Sequence, residues 1–341
     1  MTPGQATARA STSFEVALPN QFYLGYSSAA PLTLTVTAPP TATGGHIVYR
    51  LSDDDGGHLY RLAAQAGAVP EDISAALDDL SPGTDDEFLN ISPDGRWLLL
   101  STDRFGCTGW PCLALATSGL TATEVISANG AVLHADGFSA VASGGDLVVY
   151  PSGDGPHGSD LWAVTRDGGR WLTPTLLTSN SPYTYNAQPA LSADGRRVAF
   201  DCGDEPYAGA GTALCEVQTD GSGFRVLLTP DQGPGGSDSN ALHHPDYAPD
   251  GGLVFEADWN GEQIWRLPPG SASLPQLVAA QFSNDNSPCV LPDGRIVSLW
   301  LERPGNPSGQ HEIKVMAADG SASTMVLTGV DVADGGIGCG R

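Results

Sequence analysis

Two imidazoles stand side by side at His243-His244, and a carboxylate brought up to them would complete a ligand set for a divalent transition metal. Asp285 is the candidate carboxylate. Five further histidines, His46, His58, His134, His157 and His311, are scattered along the chain. No His-x-x-x-His or His-Glu-x-x-His spacing occurs, so any metal centre must be assembled from separate elements. The run Asp53-Asp54-Asp55-Gly56-Gly57 invites a calcium reading, but an EF-hand loop would need a ligand at Leu51 and a glutamate at Leu62. A looser calcium site and a plain solvated hairpin loop are the two readings left. Acids and amides recur at Asp85, Asp86, Asp136, Asn186, Asp285 and Asp334, where they could line a cation site or cap strand ends in water.

Nucleophilic catalysis has little to draw on. No Gly-x-Ser-x-Gly elbow occurs, and the nearest phrase, Gly221-Ser222-Gly223, reads as a hairpin turn. Aromatic residues outside the apolar runs offer different chemistry: Trp110, Tyr183, Tyr185, Tyr207 and Trp259 could lay flat faces on sugar rings or anchor a protein partner.

The elements that must carry these residues are short and repeated. Six times a tight glycine turn is followed by an apolar run, at intervals close to fifty residues, with turn glycines Gly45, Gly95, Gly145, Gly195, Gly251 and Gly294. Four copies are well preserved: Ser92-Pro93-Asp94-Gly95-Arg96, Ser192-Ala193-Asp194-Gly195-Arg196, Ala248-Pro249-Asp250-Gly251 and Leu291-Pro292-Asp293-Gly294-Arg295. The runs that follow, such as Trp97-Leu98-Leu99-Leu100 and Leu147-Val148-Val149-Tyr150, have strand length and strand composition. A second strand ends each time at a further turn, at Gly67, Gly119, Gly168, Gly221, Gly270 and Gly320, and a last strand such as Val226-Leu227-Leu228-Thr229 closes the unit. Asp-Gly between apolar runs is a hairpin signal because glycine accepts the positive φ that the turn requires. Only residues 71–80 have helical character. Self-similarity at this period, with four strands per unit, predicts an all-β fold: a six-bladed β-propeller of four-stranded antiparallel blades.

The phrase Pro-x-x-Ser-Pro-Asp-Gly, an apolar strand, a strand ending in Asp-Gly, and then Leu-Leu-Thr resembles the repeat of TolB-like propellers, the WD40-like or PD40 type, over roughly residues 41 to 339. The resemblance implies blade architecture. It leaves activity open, since propellers of this kind serve as binding modules, as regulatory domains of peptidases and occasionally as lyases, some of which hold a metal near the axis through histidines. The third copy, Ser143-Gly144-Gly145-Asp146, lacks the Pro-Asp, so its blade is expected to pack or turn differently. Residues 41–341 form the propeller, and residues 1–40 are read as an N-terminal arm or edge strand around Phe14–Leu18. Two segments compete for the inner position of the first blade. The tail Asp334–Cys339 aligns with Asn284–Cys289 and is the choice; Leu32–Thr37 is the alternative.

In a four-stranded blade the tight turns open on one face and the longer connections on the other, and here the longer connections hold the chemistry. Trp110, His157, Tyr183, Tyr185, Asn186, Tyr207, His243, His244, Trp259 and His311 are the candidate ligand-binding residues of that long-loop face. The reading is a non-catalytic binding module, monomeric, for a protein partner or a carbohydrate. The alternative is a metal-dependent polysaccharide lyase or glycosidase-like enzyme with its site at the axial channel.

A formal charge of −24, with Lys314 as the single lysine, argues against nucleic acid, whose binding needs basic side chains to release counterions. No stretch reaches the ~20 apolar residues of a membrane helix. The six cysteines pair off in the repeat register: Cys107 with Cys112 and Cys202 with Cys215 at single hairpins, and Cys289 with Cys339 across the seam where the ring closes. Six cysteines allow 15 pairings, and buried free thiols are the other reading. Bridges imply an oxidising compartment, periplasmic or extracellular. The start Met1-Thr2-Pro3-Gly4 has no signal-like stretch, which is read as a mature chain whose export signal has been removed.

Overall fold

A computed structural model describes residues 44–51, 58–81, 83, 86–107, 111–205, 209–259, 261–270, 275–278, 285–301 and 309–341. The proposed arm and the segment Leu32–Thr37, the run Asp53–Gly57, and Asp85, Trp110 and Tyr207 lie outside these residues.

Six sheets of antiparallel strands follow one another, each running from an inner to an outer strand. Blade 2 consists of Asp86–Ile91, Trp97–Thr102, Cys112–Thr117 and Thr123–Val125. Blade 4 (Tyr185–Leu191, Arg197–Gly203, Ala213–Gln218, Arg225–Leu228), blade 5 (Leu242–Tyr247, Leu253–Ala257, Gln263–Leu267, Gln276–Leu277) and blade 6 (Asp285–Val290, Ile296–Trp300, Glu312–Met316, Thr324–Leu327) repeat that plan. Blade 3 departs from it as its degenerate turn suggests. Its inner strand is only Ala140–Val141, and Arg170–Trp171 adds a fifth strand beside Asp160–Asp167. Gly145 nevertheless keeps the left-handed φ of 66° that the turn needs, so the missing Pro-Asp alters the strands and not the reversal.

Blade 1 is completed from the far end of the chain. Val332–Gly340 pairs with His46–Leu51 as the inner strand, with Ile47 opposite Cys339 and Tyr49 opposite Ile337. Cys289 and Cys339 are bridged, which ties blade 6 to the closing strand, and the pairs Cys107–Cys112 and Cys202–Cys215 are bridged as well. The one α-helix among the described residues, Ile73–Asp78, falls inside the 71–80 window; Asp72 caps it by accepting the Ala75 N–H at 2.8 Å.

Strand side chains alternate between the two faces of a sheet, so each blade presents alternate residues to its two neighbours. Leu98 and Leu100 pack toward blade 1 with Val48 and Ile73, while Leu99 packs toward blade 3 with Val148 and Val164. Val198 and Phe200 face blade 3 and Ala199 faces blade 5. Val254 joins Ile296 between blades 5 and 6, and Val297 and Leu299 join Ile47 and Tyr49 between blades 6 and 1. The core is therefore six separate apolar clusters, one per blade junction, each stabilised by removal of apolar surface from water.

Candidate functional site

The six inner strands enclose an axial cavity of about 90 Å³. Each inner strand runs from the long-loop face toward its tight turn. The lining covers the second half of that run: Gln188–Leu191 but not Tyr185–Ala187, His244–Asp246 but not Leu242–His243, Ser287–Cys289 but not Asp285–Asn286. The cavity therefore occupies the half of the axis next to the Pro-Asp-Gly turns and reaches Pro93.

One repeat position forms its inner ring. Phe138, Gln188, His244 and Ser287 stand seven residues ahead of their turn glycines, and Ile337 takes the equivalent place in the closing strand. One side of the ring is apolar, Phe138 and Ile337, and the other polar, Gln188, His244 and Ser287. On the polar side the backbone is bulged in three successive blades. Register shifts fall between Ala187 and Ala190, between His243 and Asp246, and between Asn286 and Cys289. Gln188, His244 and Ser287 adopt φ of 50°, 49° and 47°, uncommon for residues with a Cβ. Each precedes a proline, Pro189, Pro245 or Pro288, which has no N–H to lose from the ladder and is at home in a bulge. The displaced N–H groups find side chains of the preceding blade: His244 N donates to Gln188 Oε1 at 3.1 Å, and Ser287 N donates to Glu256 Oε2 at 2.9 Å.

Behind His244 lies a buried group of ionisable residues. His244 Nδ1 is 3.3 Å from Glu256 Oε2, and His243 Nδ1 is 3.8 Å from Asp201 Oδ2. Burial acts to raise the Glu256 pKa, but the hydrogen bond with His244, the charges of both histidines and the Ser287 N–H outweigh it and hold the carboxylate below its ordinary range. Asp201 goes the other way. Burial pushes it well above the usual carboxylate range, the attraction of His244 resists, and Glu256 adds to the rise. Two carboxyls in one cluster thus favour opposite protonation states.

One level nearer the turns, the same repeat position ties inner strands together. Asn90 Oδ1 accepts the Ile91 N–H at 2.7 Å while its Nδ2 donates to Ser139 O of the next blade at 2.8 Å. Asp246 accepts the Tyr247 N–H at 2.8 Å on Oδ1 and the Val290 N–H of the next blade at 2.7 Å on Oδ2. At the closing seam this level carries the Cys289–Cys339 bridge. Burial pushes the Asp246 carboxyl up to about 6, against the pull of its two N–H donors.

The candidates on the long-loop face separate into groups. His157, Tyr183, Tyr185 and Asn186 come together where blades 3 and 4 meet. Asn186 Nδ2 donates to Ser159 O at 3.1 Å, Ser181 Oγ donates to Asn186 Oδ1 at 2.7 Å, and Ser159 Oγ donates to Asn186 O at 3.1 Å. Tyr185 lies so close to Gly158 that a Cβ there would meet its ring at 2.9 Å. His157 Nδ1 contacts Asp160 Oδ1 at 2.8 Å, and Tyr183 and Tyr185 are each half-buried. Burial, with Asp204 nearby, raises the Tyr183 pKa. His311 is elsewhere, 3.1 Å from Asp331 beside the closing strand.

Two expectations need correction. Trp259 is not a surface ring; it is 6% exposed, packs edge-on against Phe255 and Trp265, and donates Nε1–H to Pro230 O at 2.5 Å. The segment after Pro230 that covers it is glycine-rich because Gly233 approaches the indole too closely for a side chain. Asp285 does not join His243 and His244, because its buried carboxylate holds Lys314 Nζ at 2.5 Å. Asp86 behaves likewise, taking Arg104, Thr102 and Ser74. Asp285 thus cross-links its own blade, and Asp86 ties blade 2 also to the helix Ile73–Asp78 through Ser74. Among the described residues no three His, Cys, Asp or Glu side chains are placed to hold a metal ion.

No family model and no curated protein matches the sequence. Solved structures do match. A putative TolB from Agrobacterium tumefaciens superposes with TM-score 0.56 at 16% identity, covering 85% of this chain and 91% of that one. TolB from Acinetobacter baumannii gives TM-score 0.62 at 13% identity over 88% and 68%. The fold is that of a TolB-type propeller. A puromycin hydrolase superposes at TM-score 0.51 and 18% identity over 88% of this chain, which spans only 48% of that one. Three disulfides, with no free cysteine among the described residues, place this propeller's folding in an oxidising compartment. Among the described residues no helix is long and apolar enough to cross a membrane.

Proposed function

We propose that this TolB-type propeller is a non-catalytic recognition module that holds a protein partner on its long-loop face, in the periplasm or outside the cell. The observation that carries the reading is the pair Tyr183 and Tyr185, held half-exposed on a segment that Ser159, Ser181 and Asn186 pin between two blades. Rigid amphipathic rings give contact area at small entropic cost, which is what interface anchors require. The axis supports catalysis less well. The axial cavity, about 90 Å³, is smaller than the roughly 150 Å³ cavity that takes up a benzene ring.

The test is site-specific photo-crosslinking from the exposed positions Pro156 and Pro182, with Val226 on the outer edge of blade 4 as control, in extract of the encoding organism. The same protein adduct from both loop positions and none from Val226 supports the reading, and Tyr183→Ala with Tyr185→Ala should abolish it. Equal labelling from Val226, or retention of an oligosaccharide in place of a protein, overturns it. A second reading, an enzyme of the lyase or glycosidase type, draws on His244, which lines the channel with Glu256 behind it. A stoichiometric transition metal or calcium in elemental analysis, coupled to turnover of an acidic oligosaccharide that His244→Ala removes, would bring it forward.

A further inference from the structure

The axial cavity is distant in role from the Tyr183–Tyr185 patch and opens toward the opposite set of turns. Its wall is divided. Phe138, Ile337 and Ala140 supply an apolar side, and Gln188, His244 and Asp246 a polar one. Of the lining side chains only His244 and Asp246 ionise, and no Lys or Arg is among them. Of the arginines near the surrounding turns, Arg96 pairs with Asp94, Arg266 with Asp250 and Arg295 with Asp293, while Arg196 and Arg341 stand exposed outside the lining. Asp246 spends two acceptor sites on the Tyr247 and Val290 N–H groups. A carboxylate has roughly four, so it can accept further donors from the cavity.

We propose that this cavity is a binding site for a primary ammonium group on an aliphatic stem, the lysine side chain of a protein partner, entering from the face of the Pro-Asp-Gly turns. The stem lies along Phe138, Ala140 and Ile337, and the ammonium reaches Asp246. A lysine suits the shape, because about 90 Å³ accommodates a linear chain more readily than a planar guanidinium or a ring. It suits the charge as well: a chain of formal charge −24 steers cationic partners toward itself, and an acid in a concave, low-dielectric wall strengthens the final contact. The site does not depend on what the long-loop face binds, so the two readings stand or fall separately.

The experiment uses the whole chain and two small probes, N-acetyl-lysine N-methylamide and its norleucine counterpart, which differ in the ammonium group. Saturation-transfer NMR and calorimetry compare wild type, Ala140→Leu, which adds bulk at the apolar wall of the cavity, and Asp246→Asn, each first checked for native melting. The expected result is saturable binding of the lysine probe to wild type, with loss of roughly tenfold or more in affinity for the norleucine probe and for both variants. Equal binding of the two probes, or lysine binding that survives Ala140→Leu, overturns the proposal, the latter by showing attraction to the acidic surface alone. If Asp246→Asn does not fold because it loses its tie to Val290, the comparison of the probes and Ala140→Leu decide the matter.

Discussion

Replacing Cys289 and Cys339 by serine should weaken this propeller more than removal of either other bridge, and in a particular place. The chain-entropy view makes the cost grow with the loop that a bridge closes. Sequence separations of 5, 13 and 50 for Cys107–Cys112, Cys202–Cys215 and Cys289–Cys339 correspond to about 2, 3 and 4 kcal/mol at 25 °C. Location adds to length. The first two bridges lie within single blades, whereas the third joins blade 6 to Val332–Gly340, a strand that pairs on one side only, with His46–Leu51. Without it the ring is held at the seam by that ladder and by the cluster around Ile47, Tyr49, Leu299 and Ile337. The assay is urea unfolding of the three double-serine variants, with amide exchange followed by strand. Stability should fall in the order of loop length, and exchange should quicken first across residues 332–340. Equal losses for the 13- and 50-residue bridges, or unchanged exchange in the closing strand, would refute the view that the seam is the weak point of the ring.

Three further outcomes can be checked by similar means. Gly95→Ala should cost more than Gly251→Ala in thermal unfolding, because both have positive φ but only at Gly95 would a Cβ meet backbone, 1.9 Å from Arg341 O; the strain alone is ~1 kcal/mol or more. Arg104→Met should destabilise by about 3–5 kcal/mol, since it strands the Asp86 carboxylate, which is buried with Arg104 at 2.8 Å; a loss below 1 kcal/mol would mean that Ser74 and Thr102 suffice. Asp246 binds its proton more tightly folded, near pH 6, than unfolded, so its contribution to stability is present at low pH and is lost as pH rises from about 4 to about 6. Asp246→Asn should remove that slope, seen as a wild-type-minus-variant difference that falls across this window and is flat above it.

The turn glycines were legible because backbone chemistry is local. A reversal with positive φ asks for glycine wherever it sits, so Gly95, Gly145, Gly195, Gly251 and Gly294 announce themselves without any knowledge of their neighbours. The strands between them follow from apolar runs of the right length, and the closing strand from the match of Asp334–Cys339 to Asn284–Cys289, which the ladder to His46–Leu51 realises. The cysteine pairs are legible for the same reason, since repeat register converts sequence position into place on the ring. Prolines six residues ahead of three turn glycines, Pro189, Pro245 and Pro288, were the available signal for the bulged inner strands.

The site was less legible, because burial and partnership depend on residues remote in sequence. Trp259 reads as a loop aromatic until the segment from Pro230 folds over it. Asp285 reads as a possible ligand until Lys314, 29 residues on, meets it across the blade. Adjacent His243 and His244 cannot face the same way on a strand, and only a bulge decides that His244 lines the cavity while His243 turns toward Asp201. Sequence specifies the turn, the strand and the register, which are short-range steric choices. Which acid stays charged, which ring is exposed and which half of the axis is hollow are settled only when six blades close and each inner strand acquires its neighbour.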